Sequence, residues 1–315
     1  MQGQMHVQLQ SVINEAREST ECRREVTMAV PQPETTGSTV RRILLGGQLR
    51  RLREAAGISR ADAGYTIRAS ESKISRMELG RVSFKERDVV DLLTLYGLDD
   101  EAERQDLIAL AREANLPSWW HTYSDVMPSW FQVYVGLEGA ASLIRTYEVQ
   151  FVPGLLQTAD YARAVTKRGQ PSLSEEDVER RVGLRLSRQR VLNRSEPARL
   201  WAVMDEAVLR RPIGGAQVLR DQLEYLVLKS KEPNITLQVL PFRVGGHAET
   251  GAFTLLRFPE PDLSDIVYVE QLTSALYLDK PEDVDRYLEA MDRLSVDSEP
   301  PEQTSSIIET ILREG

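Results

Sequence analysis

The stretch RASESKISRMELGR, residues 68–81, carries small polar and cationic side chains around two apolar ones. Ile74 and Met77 stand three positions apart, so both would face inward from a short helix. Small residues permit a close approach to a DNA groove, and long cationic side chains carry donors that reach the base edges. The segment therefore predicts a helix that contacts DNA through its outward residues, Glu71, Ser72, Lys73 and Arg76.

The uneven distribution of charge supports the same chemistry. The chain has 315 residues and a net charge of −9. Between Arg41 and Arg87, however, 12 basic residues stand against 5 acidic ones, which gives +7 and leaves −16 for the rest of the chain. A basic module attached to an acidic body is the electrostatic footprint of a nucleic-acid-binding domain with a separate sensing part.

Helical signals before and after this stretch predict the elements that hold it. The segment VRRILLGGQLRRLREAAG places four apolar residues near one face and ends at Gly57. Ser59 and Ser70 can cap the short helices RADAGYTI and ESKISRMEL, and KERDVVDLLTLYG and DEAERQDLIALAREA predict two more helices. Two short helices joined by a tight turn form a helix-turn-helix module, whose second helix enters the major groove.

The helical pattern breaks after this module, and strand-like segments follow. ARLWAVM, ITLQVLPF, AFTLLRF, DIVYVEQ and ALYLD alternate or run apolar like strands, whereas residues 131–148 have a helical pattern. The sequence thus predicts a multidomain chain. Its parts are a flexible N-terminal extension over 1–39, an all-α five-helix helix-turn-helix domain over 40–115, and an α+β sensing or partner-binding domain over 120–315.

The segment ISRADAGYTIRASESKISRMELGR resembles the repressor-type XRE (Cro/C1) family, and the resemblance extends over roughly residues 41–97. It implies sequence-specific binding to a double-stranded DNA operator, normally as a homodimer on a palindrome. By position, it implies that Arg60 contacts phosphate and that Arg81 touches the backbone beyond the recognition helix. It also implies an ion pair between Arg53 and Glu78 inside the module. The full set of expected DNA-binding residues is Arg60, Ser70, Glu71, Ser72, Lys73, Ser75, Arg76 and Arg81.

The second half of the chain resembles another family over two long segments. FQVYVGLEGAASLIRTYEVQFVPGLLQTADYARAV and DIVYVEQLTSALYLDKPEDVDRY are similar to the C-terminal domain of WhiJ-type regulators, which are typical of actinomycete bacteria. Together with the N-terminal module, the resemblance covers nearly all of residues 35–295. It implies an antitoxin-like transcriptional regulator, with a small BldB-like protein as a plausible partner. Because one recognition helix buries too little surface for tight binding, we predict that residues 120–315 mediate dimerisation, bind a small partner protein or ligand, or both. The resemblance names no particular ligand and no cofactor.

Other classes of function have little support in the residues. No phosphate loop, nucleophile elbow or dinucleotide fingerprint is present, and the three histidines lie too far apart for a structural zinc site. The adjacent Asp205 and Glu206 would point to opposite faces of a strand. We therefore predict that the chain is not an enzyme and uses no cofactor or metal. Two alternatives stay open: an antitoxin-like protein that mainly neutralises a small protein partner, and an enzyme hidden in the second domain.

The sequence also predicts a cytoplasmic location. No stretch approaches the roughly 20 apolar residues that a membrane span needs, and the N-terminus has no basic start before an apolar run. The single cysteine, Cys22, fits a reducing compartment. A natural start at Met28 would make the first 27 residues an upstream extension.

Three further features have less specific interpretations. The segment RRVGLRLSRQRVLNR holds six arginines, which predict a solvated helix face more readily than a surface that binds DNA or another anion. The glycine-containing loop over residues 243–253 is either a small-ligand loop or an ordinary strand connection. A core or a domain junction is predicted for four aromatic residues, Trp119, Trp120, Trp130 and Phe131.

Overall fold

Five helices form the N-terminal part of the chain in the computed structural model, which describes residues 37–244, 251–261 and 263–314. They are α1 (Ser38–Ala55), α2 (Arg60–Thr66), α3 (Glu71–Glu78), α4 (Glu86–Leu95) and α5 (Glu101–Ala114). Most of the extension predicted over 1–39, and most of the loop predicted over 243–253, lie outside the described residues. Ser38 and Thr39, which that extension included, are the first residues of α1.

Serine caps set the starts of the two short helices. The Ser59 hydroxyl accepts a hydrogen bond from the backbone N–H of Asp62 at 3.1 Å, and the Ser70 hydroxyl accepts one from the N–H of Lys73 at 3.2 Å. Such a cap satisfies a backbone donor that has no partner inside the helix, and it is worth about 1 kcal/mol. The turn between the helices passes through Arg68, whose φ of 53° is a left-handed conformation that costs a side chain other than glycine about 1–2 kcal/mol.

A tight crossing of α1 and α3 closes the core of these five helices. Leu45 of α1 and Ile74 and Met77 of α3 are all buried in one apolar cluster. Gly46 allows the close approach, because a Cβ at this position would overlap the carbonyl oxygen of Met77 and lie 2.7 Å from that of Glu78. The backbone of α3 is therefore held directly against α1.

The second domain is built on a six-stranded mixed sheet with the strand order β3–β2–β1–β4–β5–β6. Its strands are β1 (Leu143–Glu148), β2 (Arg199–Asp205), β3 (Ile235–Leu240), β4 (Phe253–Arg257), β5 (Ile266–Glu270) and β6 (Ala275–Leu278). β1, β2 and β3 are parallel, and β4, β5 and β6 add to β1 in antiparallel fashion. The helices are α6 (Ser129–Ala140), α7 (Ala159–Gly169), α8 (Glu175–Arg188), α9 (Glu206–Arg210), α10 (Ala216–Lys229), α11 (Pro281–Asp297) and α12 (Thr304–Glu314). The predicted fold class, an all-α region followed by an α+β domain, is confirmed.

Helices cover both faces of this sheet. Because side chains alternate along a strand, Leu200 and Met204 of β2 join the main cluster with α6, α10 and α12, whereas Val203 faces the other side. That second side is covered by α11, through Met291 and Leu294. Among the described residues, both faces of the central strands are therefore covered by helices.

The prediction of one helix over residues 131–148 is wrong for the second half of this segment. α6 ends at Ala140, and the residues from Leu143 to Glu148 form β1, which pairs with β2 on one side and β4 on the other. No proline or polar turn cluster marks the change in the sequence. β-Branched and aromatic residues in LIRTY favour a strand, but the partner strands begin only at Arg199 and Phe253. A local pattern does not reveal pairing over such distances.

The position of β1 gives one carboxylate an unusual environment and makes stability depend on pH. Burial, and then repulsion from Glu270, raises the pKa of the half-buried Glu148 from 4.5 to about 8. The folded state therefore holds this proton more tightly than the unfolded state, so stability should fall as pH rises from about 4.5 to 8. We expect Glu148→Gln to raise the free energy of unfolding at pH 8 by about 2–4 kcal/mol, since one pKa unit corresponds to about 1.4 kcal/mol.

Thermal melts of both proteins at pH 5 and pH 8 measure this effect. At pH 5 the two melting temperatures should differ much less, because this pH is only half a unit above the unfolded-state pKa of 4.5. A Glu148→Gln variant that is equally or less stable than the original chain at pH 8 would contradict the burial argument.

α1 belongs to both hydrophobic cores. Val40 is fully buried in the main cluster of the second domain, whereas Leu45, little more than one turn later, lies in the N-terminal cluster. Thr39 rests against Gly136 of α6, where an added Cβ would lie 2.6 Å from the Thr39 Cβ. The described residues therefore form one compact unit. The predicted boundary between 40–115 and 120–315 stays a prediction.

The four aromatic residues predicted for a core or junction take different environments. Trp120 is 5% exposed and packs against α6 and α8. Trp119 stays 40% exposed, and Trp130 and Phe131 are half-buried against the main cluster of the second domain. Only part of this run is therefore core.

The predicted solvated arginine face is wrong for several residues in and after α8. The Arg188 guanidinium donates two hydrogen bonds of 2.8 Å to the Glu138 carboxylate. Arg194 donates to two backbone carbonyls at the end of α6, and the half-buried Arg185 donates to the Ala162 carbonyl of α7 at 3.3 Å. These arginines fasten α8 and the turn after it to their neighbours, because the tertiary structure brings acceptors to them from distant segments.

Candidate nucleic-acid interface

The outer face of α3 presents a small set of polar side chains. Ser72 and Arg76 are exposed and Ser75 is half-buried, whereas Ile74 and Met77 are each 1% exposed. The apolar pair fastens α3 to the N-terminal core. Helical spacing thus separates one face for packing from one for contact, as the sequence predicts.

Five of the eight predicted DNA-binding residues line one open groove. They are Arg60, Glu71, Ser72, Ser75 and Arg76. The groove combines donors, an acceptor and two hydroxyls on a convex helix, which is the set of groups that reads base edges.

The remaining predicted residues lie outside this groove. Ser70 uses its hydroxyl to cap α3. Arg81 is exposed just beyond the end of α3, where a cation can meet a phosphate. Lys73 extends toward α4.

Glu78 bonds one arginine inside the N-terminal module and one arginine that lines the groove. Its carboxylate lies 2.5 Å from Arg53 Nε and 2.9 Å from Arg60 Nε, and the Glu78 side chain is only 3% exposed. The hydrogen bond to Glu78 raises the pKa of Arg53. The structure therefore brings Arg53 and Glu78 together, as the resemblance to repressor-type domains implies. It also gives Arg60 a bond inside the module in addition to its place in the groove.

Lys73 is directed away from the groove, toward α4. Its ammonium donates to the Asp88 carboxylate at 2.7 Å, and the Asp88 side chain is 3% exposed. The sequence predicts that this ammonium contacts base edges. In the structure it is bound to Asp88 instead. Sequence reasoning missed Asp88, although one signal was present: a single acid at an inward position of the amphipathic segment KERDVVDLL.

Nothing in the described part of the chain indicates a metal site or a membrane span. No group of three or more His, Cys, Asp and Glu side chains is arranged to hold an ion in residues 37–244, 251–261 and 263–314. Over the same residues, every helix is too short or too polar to cross a bilayer.

Comparisons with known families match both parts of the chain. Residues 44–107, which include α2, α3 and most of α1, match the family model described as a helix-turn-helix domain. Residues 131–310 match the model described as Domain of unknown function (DUF5753). No curated protein and no solved structure gives a significant match. The groove on α3 thus lies in a helix-turn-helix domain, the kind of domain through which many regulators bind DNA.

Proposed function

Because the chain belongs to the DUF5753 family and carries a helix-turn-helix domain, we propose that it is a sequence-specific transcriptional regulator. The observation that carries the proposal is the groove along α3, which is lined by five polar residues, two of them arginines. α3 enters the major groove of an operator, and the basic module holds the duplex by its phosphates. The resemblance to XRE repressors supports the same mode of DNA binding.

Each residue of the groove has a chemical role in this proposal. Arg76 donates to a base edge, and guanine offers the two acceptors that a guanidinium prefers. Ser72 and Ser75 donate to or accept from neighbouring bases, and Glu71 accepts from a cytosine amine. Outside α3, Arg60 and Arg81 contact phosphates, which position the helix without reading sequence.

Dimerisation is part of the proposal. One recognition helix buries too little surface for tight specific binding, so such modules usually act in pairs on half-sites about 34 Å apart. Residues 41–87, which contain the recognition helix, carry a net charge of +7 and are therefore a poor surface for self-association. The second domain supplies the dimer contact, a site for a small BldB-like partner protein or ligand, or both.

The shared helix α1 supports a route from the second domain to the groove. Thr39 rests on α6, and Gly46 rests on the backbone of α3. A partner that displaces α6 therefore moves α1 and, with it, the recognition helix. Operator affinity then changes because the spacing between the two recognition helices of the dimer changes.

Substitution of Arg76 tests the proposal. Arg76→Ala should weaken binding to a preferred duplex by about 1–3 kcal/mol, the usual value of a good base contact. Binding to an unrelated duplex should change much less. The preferred duplex is selected from a randomised pool by the full-length chain, and both affinities are measured by fluorescence anisotropy at fixed salt.

Arg81→Ala is the matched control, because it removes the same side chain from a phosphate-contact position. It should weaken both duplexes similarly and lower the salt slope by about 0.9. Unchanged affinity of Arg76→Ala for the preferred duplex would show that the groove assignment is wrong.

The same variant tests the antitoxin-like alternative. Loss of operator binding in Arg76→Ala, with binding of a small partner protein retained, would show that both activities coexist in the chain. We propose no catalytic role for the second domain, since its Asp205 and Glu206 serve helix capping and an ion pair with Arg210.

A further inference from the structure

Lys73 lies on the flank of α3 and not on the face that lines the groove. On a helix of 3.6 residues per turn, residue 73 is about 100° from residue 72 and about 60° from residue 76. Its ammonium donates to Asp88, which belongs to the first turn of α4. The pair therefore joins the recognition helix to the helix that follows it.

The buried Asp88 carboxylate needs the Lys73 ammonium as its counter-charge. A buried carboxylate is costly unless it is paired, although the N-terminal turn of α4 favours a negative charge. Arg87 is also near, but its Nη2 lies 3.9 Å from the carboxylate and its side chain is 74% exposed. Lys73, at 2.7 Å and 31% exposed, is the closer and better shielded of the two cations.

We propose that Asp88 determines sequence specificity by withholding Lys73 from DNA. The inference rests on the proposed function, and it gives a role in that function to a residue outside α3. Cation–phosphate attraction strengthens binding to every sequence, whereas base contacts discriminate among sequences. Held by Asp88, the Lys73 ammonium adds nothing to binding of unrelated DNA, and α3 keeps one orientation relative to α4.

Removal of the Asp88 charge should therefore increase non-specific binding. In Asp88→Asn the ammonium is released and can reach a phosphate. The affinity for an unrelated duplex should rise roughly fivefold at 0.15 M salt, and the slope of log affinity against log salt should steepen by about 0.9. The affinity ratio between the preferred and the unrelated duplex should fall. The measurement is a salt titration of the full-length chain with both duplexes.

Two further variants show whether Lys73 causes the change. Lys73→Gln should leave the salt slope unchanged, because the ammonium that it removes does not touch DNA. The double variant Lys73→Gln with Asp88→Asn should restore the original slope, and it leaves no charge unpaired at this position, so it is the variant best able to fold. Arg81→Ala, which should lower the slope by about 0.9, is the positive control.

The outcomes separate this inference from the function on which it rests. If Lys73→Gln lowers the slope as much as Arg81→Ala does, Lys73 contacts phosphate and the inference is overturned. A double variant with a slope steeper than that of the original chain also overturns it. An original chain that binds neither duplex overturns the proposed function itself, and the inference with it.

Discussion

Replacing Gly46 with alanine should destabilise the chain by about 3 kcal/mol or more. A methyl group there would overlap the Met77 carbonyl oxygen and lie 2.7 Å from the Glu78 carbonyl oxygen. Overpacking usually costs about 1–3 kcal/mol when side chains can yield, but these neighbours are backbone atoms of α3. α1 and α3 must therefore separate, and the groove should lose its shape together with its stability.

The next residue provides the control for this prediction. Gly47 lies on the same helix with nothing within 4 Å of an added Cβ. Gly47→Ala should stabilise the chain by up to about 1 kcal/mol, since alanine is the better helix former. Urea denaturation of the three proteins measures both effects. Equal stability changes in Gly46→Ala and Gly47→Ala would rule out the close crossing of α1 and α3.

Loss of the Glu138 charge should have a comparable effect in the second domain. Glu138 and Arg188 form a bidentate pair whose side chains are 2% and 8% exposed, and the guanidinium lies over the Phe131 and Tyr134 rings. Glu138→Gln leaves a buried guanidinium without its counter-charge. Removal of one partner from a buried pair typically costs about 3–5 kcal/mol.

Two further variants show whether this loss of stability depends on the burial of the pair and on the charge that is left without a partner. Glu86→Gln makes the same chemical change in an exposed pair with Arg112 and should alter stability little. The double variant Glu138→Leu with Arg188→Met replaces the buried pair by apolar groups and should recover most of the loss. Calorimetric melts provide the comparison. If Glu138→Gln is no more harmful than Glu86→Gln, the buried pair does not hold the domain.

The helix-turn-helix module could be predicted closely because its signals are local. Ser59 and Ser70 cap helices that begin within a residue or two of them along the chain. The spacing of Ile74 and Met77 fixes which face of α3 packs, and therefore which residues stay outside. These interactions span one or two helical turns, and they have the same form in many chains.

The direction of a long side chain could not be predicted in the same way. Lys73 stands among groove residues in the sequence, but its four-carbon stem can turn to either side of α3. The buried Asp88, on another helix, decides the direction. Arg188 illustrates the same point, since only the packing of α6 against α8 brings Glu138 within reach.

The sequence by itself determined the helical module, its polar outer face and the α+β character of the second domain. Periodicity and capping depend on neighbours a few residues apart, so short segments of the sequence are enough to predict them. Only the tertiary structure decided that residues 143–148 form the central strand β1, that α1 serves two cores, and that Glu148 is half-buried beside Glu270. Each of these results depends on contacts between residues far apart along the chain. Such contacts are selected by the packing of the whole unit, because a strand or a charge is stable inside a protein only where distant partners satisfy it.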